Sequence, residues 1–186
     1  QQYIDTYQAS AEGTQGDGLT EFGNNYIDMG GGATVNYSGS NYVLSMFKRA
    51  PGFFDVVTYT GTGSVMTINH KLEATPELYM IKGRSSTSWF VYSAVNGATK
   101  AVLLNSNIQA QTSSNYWNNT APTSTQFTVG PGNALSGNGT GFFAYLFASL
   151  NGISKVGSYS GTGSNINVDC GFTAGARWIL IKRTDG

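Results

Sequence analysis

The chain carries one pattern twice, 100 residues apart, and this repeat limits its possible folds more than any other feature. YTGTGS begins at Tyr59 and returns as YSGTGS at Tyr159. Three further pairs of segments align at the same distance without a gap: LYMIK 78–82 with WILIK 178–182, NYVLSMF 41–47 with GFFAYLF 141–147, and YIDMG 26–30 with QFTVG 126–130. Residues 1–86 therefore correspond to residues 101–186, so the chain holds just under two copies of one unit.

Short runs of alternating or apolar residues fill each unit, and Gly, Asn, Ser and Pro clusters separate them. About seven such runs per 100 residues are typical of a β-sandwich or jelly roll, and no run has helical spacing. We predict an all-β chain of tandem β-sandwich (jelly-roll-like) repeats of about 100 residues, with little or no helix. SSNYWNNTAPTS at 113–124 is predicted to be a long loop that turns at Pro122.

The YTGTGS segment lies between two alternating runs, which favours a hairpin turn over a binding loop. Its glycines supply the positive φ angles that hairpin turns need, so each copy would repeat them for the same turn. Because a strand rather than a helix follows, the GxG spacing does not indicate a phosphate-binding loop. We therefore expect Tyr59 and Tyr159 to occupy equivalent places in two sandwiches.

The composition excludes two classes of partner. Ten basic and ten acidic residues among 186 give no basic surface for nucleic acid. The longest apolar run, at residues 142–150, falls short of the roughly 20 residues of a membrane helix. We therefore expect no nucleic-acid partner and no membrane span. Cys170 is the single cysteine, so we expect a small buried side chain there and no internal disulfide.

The acidic residues do not form a recurring catalytic pair. Glycan hydrolysis uses two carboxylates about 5 to 10 Å apart, and residues 53–150 hold only Asp55, Glu73 and Glu77. No acidic residue in the chain recurs 100 positions later. His70 is the only histidine and aligns with Cys170, which indicates an interchangeable, partly buried position rather than a nucleophilic site. We predict no enzyme and no catalytic residues.

Metal and charge-based sites receive little support. Glu12 and Asp17 in EGTQGDG could offer oxygen ligands to Ca²⁺, but their spacing matches no known calcium loop. We predict no cofactor and no metal residues. The one charge that recurs is Lys82 with Lys182. Two explanations stay open for it: protection of a sheet edge, or contact with an acidic group on a partner.

Aromatic side chains are the remaining candidates for binding, because their rings stack on the apolar faces of sugars. Tyr116 and Trp117 lie in the predicted long loop, where ligand contact and packing are equally consistent with the sequence. For Trp89 and Tyr92, burial in a core or an interface is favoured.

The joined motifs resemble a repeat domain found in large structural proteins of tailed phages, especially marine ones. Five segments that cover the complete unit carry the resemblance: GFFDVVTYTGTG 52–63, NHKLEATPELYMIK 69–82, SWFVYSAVNGATKAVLLN 88–105, WNNTAPTSTQFTVG 117–130 and GFFAYLFA 141–148. One departure is Glu73, where the family pattern favours Gly. The resemblance implies that residues 1–52 are the back part of one β-sandwich repeat, residues 53–150 a complete repeat, and residues 151–186 the front part of the next.

The same resemblance implies a function. We expect a non-enzymatic structural protein of the virion, in a tail fibre or another exposed appendage, that contributes to assembly and to adhesion at the host surface. The alternatives are a head decoration protein and a carbohydrate-binding module of a larger protein. Expected partners are other virion proteins or copies of itself, as a homo-oligomer, together with a host-surface glycan. The expected location is the virion, an extracellular particle.

Overall fold

A computed structural model of the protein describes residues 2–4 and 6–185, and strands dominate it. The strands are β1 (Gln2–Tyr3), β2 (Gly13–Thr14), β3 (Leu19–Phe22), β4 (Ile27–Met29), β5 (Phe54–Thr60), β6 (Met66–Asn69), β7 (Leu78–Gly83), β8 (Phe90–Ser93), β9 (Lys100–Leu103), β10 (Gln111–Thr112), β11 (Gln126–Val129) and β12 (Gly141–Phe147). Three helices of one turn are α1 (Ala33–Asn36), α2 (Ser114–Trp117) and α3 (Asn133–Ser136). The prediction of an all-β chain is confirmed at this level.

A six-stranded antiparallel sheet organises residues 54–147, with the strand order β10-β9-β8-β7-β12-β5. The first and last long strands of this region, β5 and β12, pair along their whole length from Phe54–Phe147 to Thr60–Gly141. A second sheet of β6 and β11 forms apart from it. The chain therefore enters and leaves the large sheet at one end, where Phe54 lies beside Phe147.

The inner face of the large sheet forms the main core. Successive strand residues point to opposite faces, and every second residue of β7, β8 and β12 is buried on this side. These inner residues are Tyr79, Ile81, Phe90, Tyr92, Phe142, Ala144 and Leu146. They pack against residues of β6, β11 and the helical turns: Ile68, Leu72, Trp117, Phe127, Val129 and Leu135. The sandwich thus consists of the six-stranded sheet on one side and β6, β11, α2 and α3 on the other.

The outer face of the same sheet is also apolar. A second cluster consists of Phe54, Met80, Trp89, Val91, Val102 and Phe147, with Val56, Phe143 and Tyr145 partly buried at its margin. Extended chain covers part of this face, because Ile4 and Ala110 pack against the cluster. A sheet that is apolar on both faces needs cover on both, and here the chain's own extended segments provide part of that cover on the outer face.

The YTGTGS segment, residues 59–64, does not form the predicted hairpin. It crosses from the large sheet to the small one, since β5 pairs with β12 and β6 pairs with β11. Its backbone is bound to the end of α3 and the loop that follows: Gly61 N–H donates to Thr140 O at 2.8 Å, and Gly63 N–H donates to Ser136 O at 2.5 Å. The glycines therefore allow the two backbone segments to approach closely, and Gly63 also adopts a positive φ of 79°.

Lys82 does not protect a sheet edge, because β7 lies inside the sheet between β8 and β12. Its ammonium is fully buried and donates to three backbone carbonyls, those of Ser10 at 2.8 Å, Gly83 at 3.0 Å and Ser85 at 3.1 Å. Burial lowers the pKa of this group. The sheet-edge explanation is therefore wrong for Lys82, and its ammonium is bound by carbonyl oxygens of its own chain.

The repeat in sequence does not produce two equal folds in one chain. Tyr59 lies in β5, whereas Tyr159 is exposed and outside any strand, so the expected equivalence of the two tyrosines is wrong here. In the described part of the chain, no strand follows β12. Cys170 is exposed rather than buried for the same reason. In residues 54–147, β5 and β7 both pair with β12. Residues 155–185, which correspond to β5–β7 in sequence, have no strand like β12 to pair with.

Local conformations nevertheless recur at the 100-residue spacing. The helical turn α1 at residues 33–36 precedes α3 at residues 133–136 by 100 positions. Two isolated bridges do the same, Ala50–Phe54 and Leu150–Ser154. Three pairs of glycines with positive φ also follow this spacing: Gly39 and Gly139, Gly52 and Gly152, and Gly63 and Gly163.

Two smaller features differ from the sequence expectation or explain it. The loop 113–124 contains one helical turn, α2, which Ser113 caps by accepting from Asn115 N–H at 3.1 Å. Glu73 has a φ of 59°, in the left-handed region where glycine is favoured. The pattern that this chain resembles has Gly at position 73, and the left-handed backbone at Glu73 explains that preference.

Candidate functional site

The candidate site is a cleft of about 820 Å³ on the outer face of the large sheet, here called the outer cleft. Strands β5 and β12 form its floor, and the extended N-terminal chain forms its wall. The lining residues from the sheet include Thr58, Thr60, Phe143 and Tyr145, with Trp89 and Arg84 beside them, and the wall consists of Tyr3, Ile4, Thr6 and Glu12.

The alternation of β5 and β12 determines what the floor displays. Thr58 pairs in register with Phe143, and Val56 pairs with Tyr145, so hydroxyl and aromatic groups share this face. The rings of Trp89 and Phe143 lie 5.5 Å apart, and those of Phe143 and Tyr145 lie 5.2 Å apart. Thr58 is exposed, and Phe143 and Tyr145 are half-buried. Burial raises the pKa of Tyr145, so its phenol is neutral at physiological pH.

A bidentate ion pair closes one side of the cleft. Arg84 Nε and a second guanidinium nitrogen donate to the two Glu12 carboxylate oxygens, at 2.7 and 2.8 Å. Glu12 N–H also donates to Arg84 O at 3.0 Å, so backbone and side chain together fix the N-terminal wall to the end of β7. Planar charged groups beside aromatic rings can bind the hydroxyls and apolar faces of a sugar.

The two aromatic residues predicted for glycan contact do not line this cleft. Trp117 is fully buried on the opposite side of the sheet, and its Nε1–H donates to Lys100 O at 2.7 Å. Tyr116 is half-buried and packs on Phe90, with 5.5 Å between ring centroids. Trp117 is therefore positioned to pack the core, and Tyr116 lies against the same core. The expected burial of Trp89 and Tyr92 is confirmed.

The carboxylates of residues 53–150 have local structural partners. Asp55 is buried, accepts from Lys71 N–H at 2.8 Å and forms an ion pair with Arg49 at 2.5 Å. Glu77 accepts from Ser149 N–H at 2.7 Å. Among the described residues that line the outer cleft, Glu12 is the only acid. The cleft as described therefore lacks the pair of carboxylates that glycan hydrolysis uses.

His70 is buried and its two ring nitrogens have different partners. Nδ1 accepts from Leu72 N–H at 3.2 Å, and Nε2 lies 3.2 Å from Thr123 O, to which it donates. This arrangement requires the neutral ring protonated on Nε2, since an acceptor nitrogen carries no proton. Desolvation by burial lowers the pKa of His70 against the opposing effects of Thr123 and Asp55. His70 thus has a structural role at the start of the loop that follows β6.

We expect His70 to make stability depend on pH. Because its folded-state pKa is lowered, its contribution is present above its ordinary pKa of about 6.5 and is lost as pH falls through the folded pKa. The slope from one proton is at most about 1.4 kcal/mol per pH unit. Urea unfolding between pH 5 and 7.5 measures it. His70→Asn keeps an acceptor for Leu72 N–H without titrating and should flatten the profile; an unchanged profile would contradict this assignment.

The described residues form neither a metal-binding cluster nor a membrane-spanning helix. Across residues 2–4 and 6–185, no three His, Cys, Asp or Glu side chains group closely enough to hold a metal ion. Glu12, the candidate calcium ligand, pairs with Arg84. In the described chain, none of the helices has the length and apolar character to cross a bilayer.

Several residues of the cleft could not be predicted from the sequence. Arg84 belongs to no recognisable motif, and its ion-pair partner Glu12 lies 72 residues away in the chain. One signal was available for the floor: in GFFAYLF, aromatic residues fall on both faces of a strand, as Phe142 and Phe143 do. A strand that is aromatic on both sides indicates a second occupied face.

Fold and cleft together define an all-β domain with a ligand-sized groove on one face of its main sheet. The chain belongs to the family described as domain of unknown function DUF7483, which matches residues 1–186. Comparison with curated proteins and with solved structures finds no match.

Proposed function

We propose that this protein is a non-enzymatic structural module of a tailed-phage virion, part of a tail fibre or another exposed appendage. In this proposal it is built of tandem β-sandwich repeats that space out binding surfaces, and it contributes to assembly and to adhesion at the host surface. The outer cleft is the adhesive surface and binds a host glycan. Loops and faces carried on a rigid scaffold are where binding residues concentrate.

One observation carries the proposal: local structure recurs at the spacing of the sequence repeat. The turns α1 and α3, the bridges at residues 50–54 and 150–154, and the paired glycines of positive φ lie 100 residues apart. This recurrence supports a tandem array, and arrays of sandwiches are suited to long appendages. The resemblance of the joined motifs to phage structural repeats supports the virion as the location.

The outer cleft gives specific support to adhesion. Half-buried rings of Phe143 and Tyr145 provide stacking surface, and exposed hydroxyls of Thr58 and Thr60 provide hydrogen bonds. The same cleft would serve a carbohydrate-binding module of a larger protein, which is the alternative function. A head decoration protein is the other alternative, and the position in the particle separates it from an appendage.

The position in the virion is tested by immunogold electron microscopy of intact particles, with antibodies raised against this chain. Gold on fibres or other appendages of the tail is the expected result. Gold on the head would replace the appendage with the decoration alternative. Purified particles without the protein would overturn the virion proposal.

Glycan binding is tested by one substitution in the cleft and one outside it. We expect Thr58→Arg to reduce binding of the chain to host cells and to arrayed glycans by at least about tenfold, because an added guanidinium fills the cleft beside Phe143. Thr67→Arg places the same change on an exposed residue of β6, away from the cleft, and should bind normally. Equal binding by both variants would contradict the cleft assignment, and release of sugar fragments would contradict a non-enzymatic role.

A further inference from the structure

Lys82 and Lys182 are the one pair of like-charged residues that recurs at the 100-residue spacing, and both ammonium groups bind the same kind of target. Lys82 Nζ donates to Ser10 O at 2.8 Å, and Lys182 Nζ donates to Ser106 O at 2.6 Å. Ser10 lies in the loop between β1 and β2, and Ser106 lies in the loop between β9 and β10. Each lysine therefore binds the loop of an antiparallel hairpin that comes earlier in the chain.

The two hairpins occupy the same place in the sequence repeat. Residues 2–14, which hold β1 and β2, align with residues 102–114, and β9 and β10 fall within residues 100–112. β9 and β10 belong to the six-stranded sheet of the sandwich, whereas β1 and β2 form a separate two-stranded sheet. In a tandem array, residues 2–14 are thus the hairpin of the repeat that precedes the sandwich, and Lys82 joins that hairpin to the sandwich.

Four further hydrogen bonds hold the loop between β1 and β2 against the end of β7. Ser86 Oγ donates to Ala9 O at 2.9 Å, and Glu12 N–H donates to Arg84 O at 3.0 Å. The other two are the bidentate contacts of Arg84 with the Glu12 carboxylate, at 2.7 and 2.8 Å. Lys82 is fully buried beneath these surface contacts. Burying an ammonium is costly unless it is hydrogen-bonded, so the folded sandwich favours the bound loop.

The contact at Lys182 has the same construction with fewer hydrogen bonds. Ala110 N–H donates to Thr184 O at 2.8 Å, just as Glu12 N–H donates to Arg84 O. In both places the donor lies in the hairpin loop, and the acceptor lies two residues after the lysine. Lys182 is half-buried, although the residues on either side of it are exposed. The burial of Lys182 therefore follows from its contact with the hairpin and not from pairing of its own segment.

We infer that the lysine at this position is a latch that fixes each repeat to the hairpin loop of the repeat before it, within one chain. Lys82 holds the loop at residues 4–12, and Lys182 holds the loop at residues 104–110. The inference rests on the tandem array of the proposed function, and it names the surface through which neighbouring repeats contact each other. Because the acceptors are backbone carbonyls, the latch makes no demand on the side chains of the loop, and the two loops indeed differ in sequence.

The latch at Lys82 also positions one wall of the outer cleft. The wall residues Ile4, Thr6 and Glu12 belong to the loop that Lys82 holds, whereas the floor belongs to β5 and β12 of the sandwich. In the array, the cleft therefore lies at the joint between a repeat and the one before it. Release of the latch should loosen the wall and leave the floor unchanged.

Amide hydrogen exchange tests both latches, and each lysine variant is the control for the other. We expect Lys82→Met to speed exchange of the Glu12 amide by at least about tenfold and to leave the Ala110 amide unchanged, because local opening frees only the loop bound by that lysine. Lys182→Met should have the reverse effect. Unchanged exchange at Glu12 in Lys82→Met, or at Ala110 in Lys182→Met, would overturn the inference.

A second variant, Ser86→Ala, keeps the test decisive if Lys82→Met disturbs the core. Ser86 is exposed, and the substitution removes its hydrogen bond to Ala9 O. We expect the Glu12 amide of this variant to exchange about threefold faster, while the amides of β7 and β12 exchange at their usual rates. Faster exchange throughout the sandwich, or no change at Glu12, would contradict the latch.

Glycan binding distinguishes failure of the latch from failure of the proposed function. Lys82→Met should weaken binding at the outer cleft by at least about fivefold, because the wall is no longer held in its binding position. Lys182→Met should bind as the unmodified chain does, since Lys182 does not line the cleft. Normal binding by Lys82→Met would overturn the link between latch and cleft. If the unmodified chain binds no glycan, the adhesive function fails, and amide exchange still decides the latch.

Discussion

Gly61→Ala is expected to destabilise the sandwich by about 3 kcal/mol, whereas Gly161→Ala, at the same place in the repeated motif, changes stability by less than about 0.5 kcal/mol. A Cβ on Gly61 would lie 2.3 Å from Gly137 O and 2.6 Å from Ser136 C. Both are backbone atoms of the loop to which YTGTGS is hydrogen-bonded, so neither can move away cheaply. A Cβ on Gly161 meets nothing within 4 Å.

Urea unfolding at low protein concentration measures both variants, with the unmodified chain as the reference. A shift in the midpoint at constant slope reports stability alone. If Gly61→Ala unfolds like the unmodified chain, the close packing of this loop is wrong. If Gly161→Ala is equally harmful at low concentration, residues 159–164 pack in a single chain as residues 59–64 do.

The strands of the sandwich were predictable because short-range patterns determine them. Alternation in DVVTYTG and the apolar run LYMIK identify β5 and β7, and turn residues bound them. Which strands pair is a different question. YTGTGS joins β5 to β6, and a hairpin was the simplest prediction. Instead, β6 pairs with residues about 60 positions further along the chain, and β5 pairs with residues more than 80 positions further along. Pairing between distant strands leaves no mark in a local pattern.

The site was harder to predict because the role of each side chain depends on whether it points into the core or toward the surface. Trp117 lies in a polar, glycine-free loop that suggested exposure, but a helical turn capped by Ser113 directs it into the core. Arg84 and Glu12 meet only because the N-terminal chain crosses the outer face. Lys82 illustrates the same limit: a lysine ending an apolar run suggests an edge, while its ammonium is buried against carbonyl oxygens.

Trp117→Ala is expected to cost about 3 to 5 kcal/mol of unfolding free energy, the usual range for removing a fully buried Trp or Phe. The indole contacts Tyr79 and Tyr92 edge to face, with ring centroids at 5.0 and 5.9 Å. Its Nε1–H also satisfies Lys100 O at 2.7 Å, and that carbonyl would lose its partner. Because domains of this size are stable by only about 5 to 15 kcal/mol, the variant loses much of its folded population on heating.

Thermal and urea unfolding distinguish a packing role from a binding role for this tryptophan, when measured on Trp117→Ala, Trp117→Phe and Tyr7→Ala. Trp117→Phe keeps the ring contacts and should lose less than Trp117→Ala, while Tyr7→Ala truncates an aromatic side chain that is 74% exposed and should be near neutral. Full stability in Trp117→Ala together with lost glycan binding would restore Trp117 as a contact residue. With Trp117 in the core, glycan binding by Trp117→Phe stays normal, whereas Thr58→Arg reduces it.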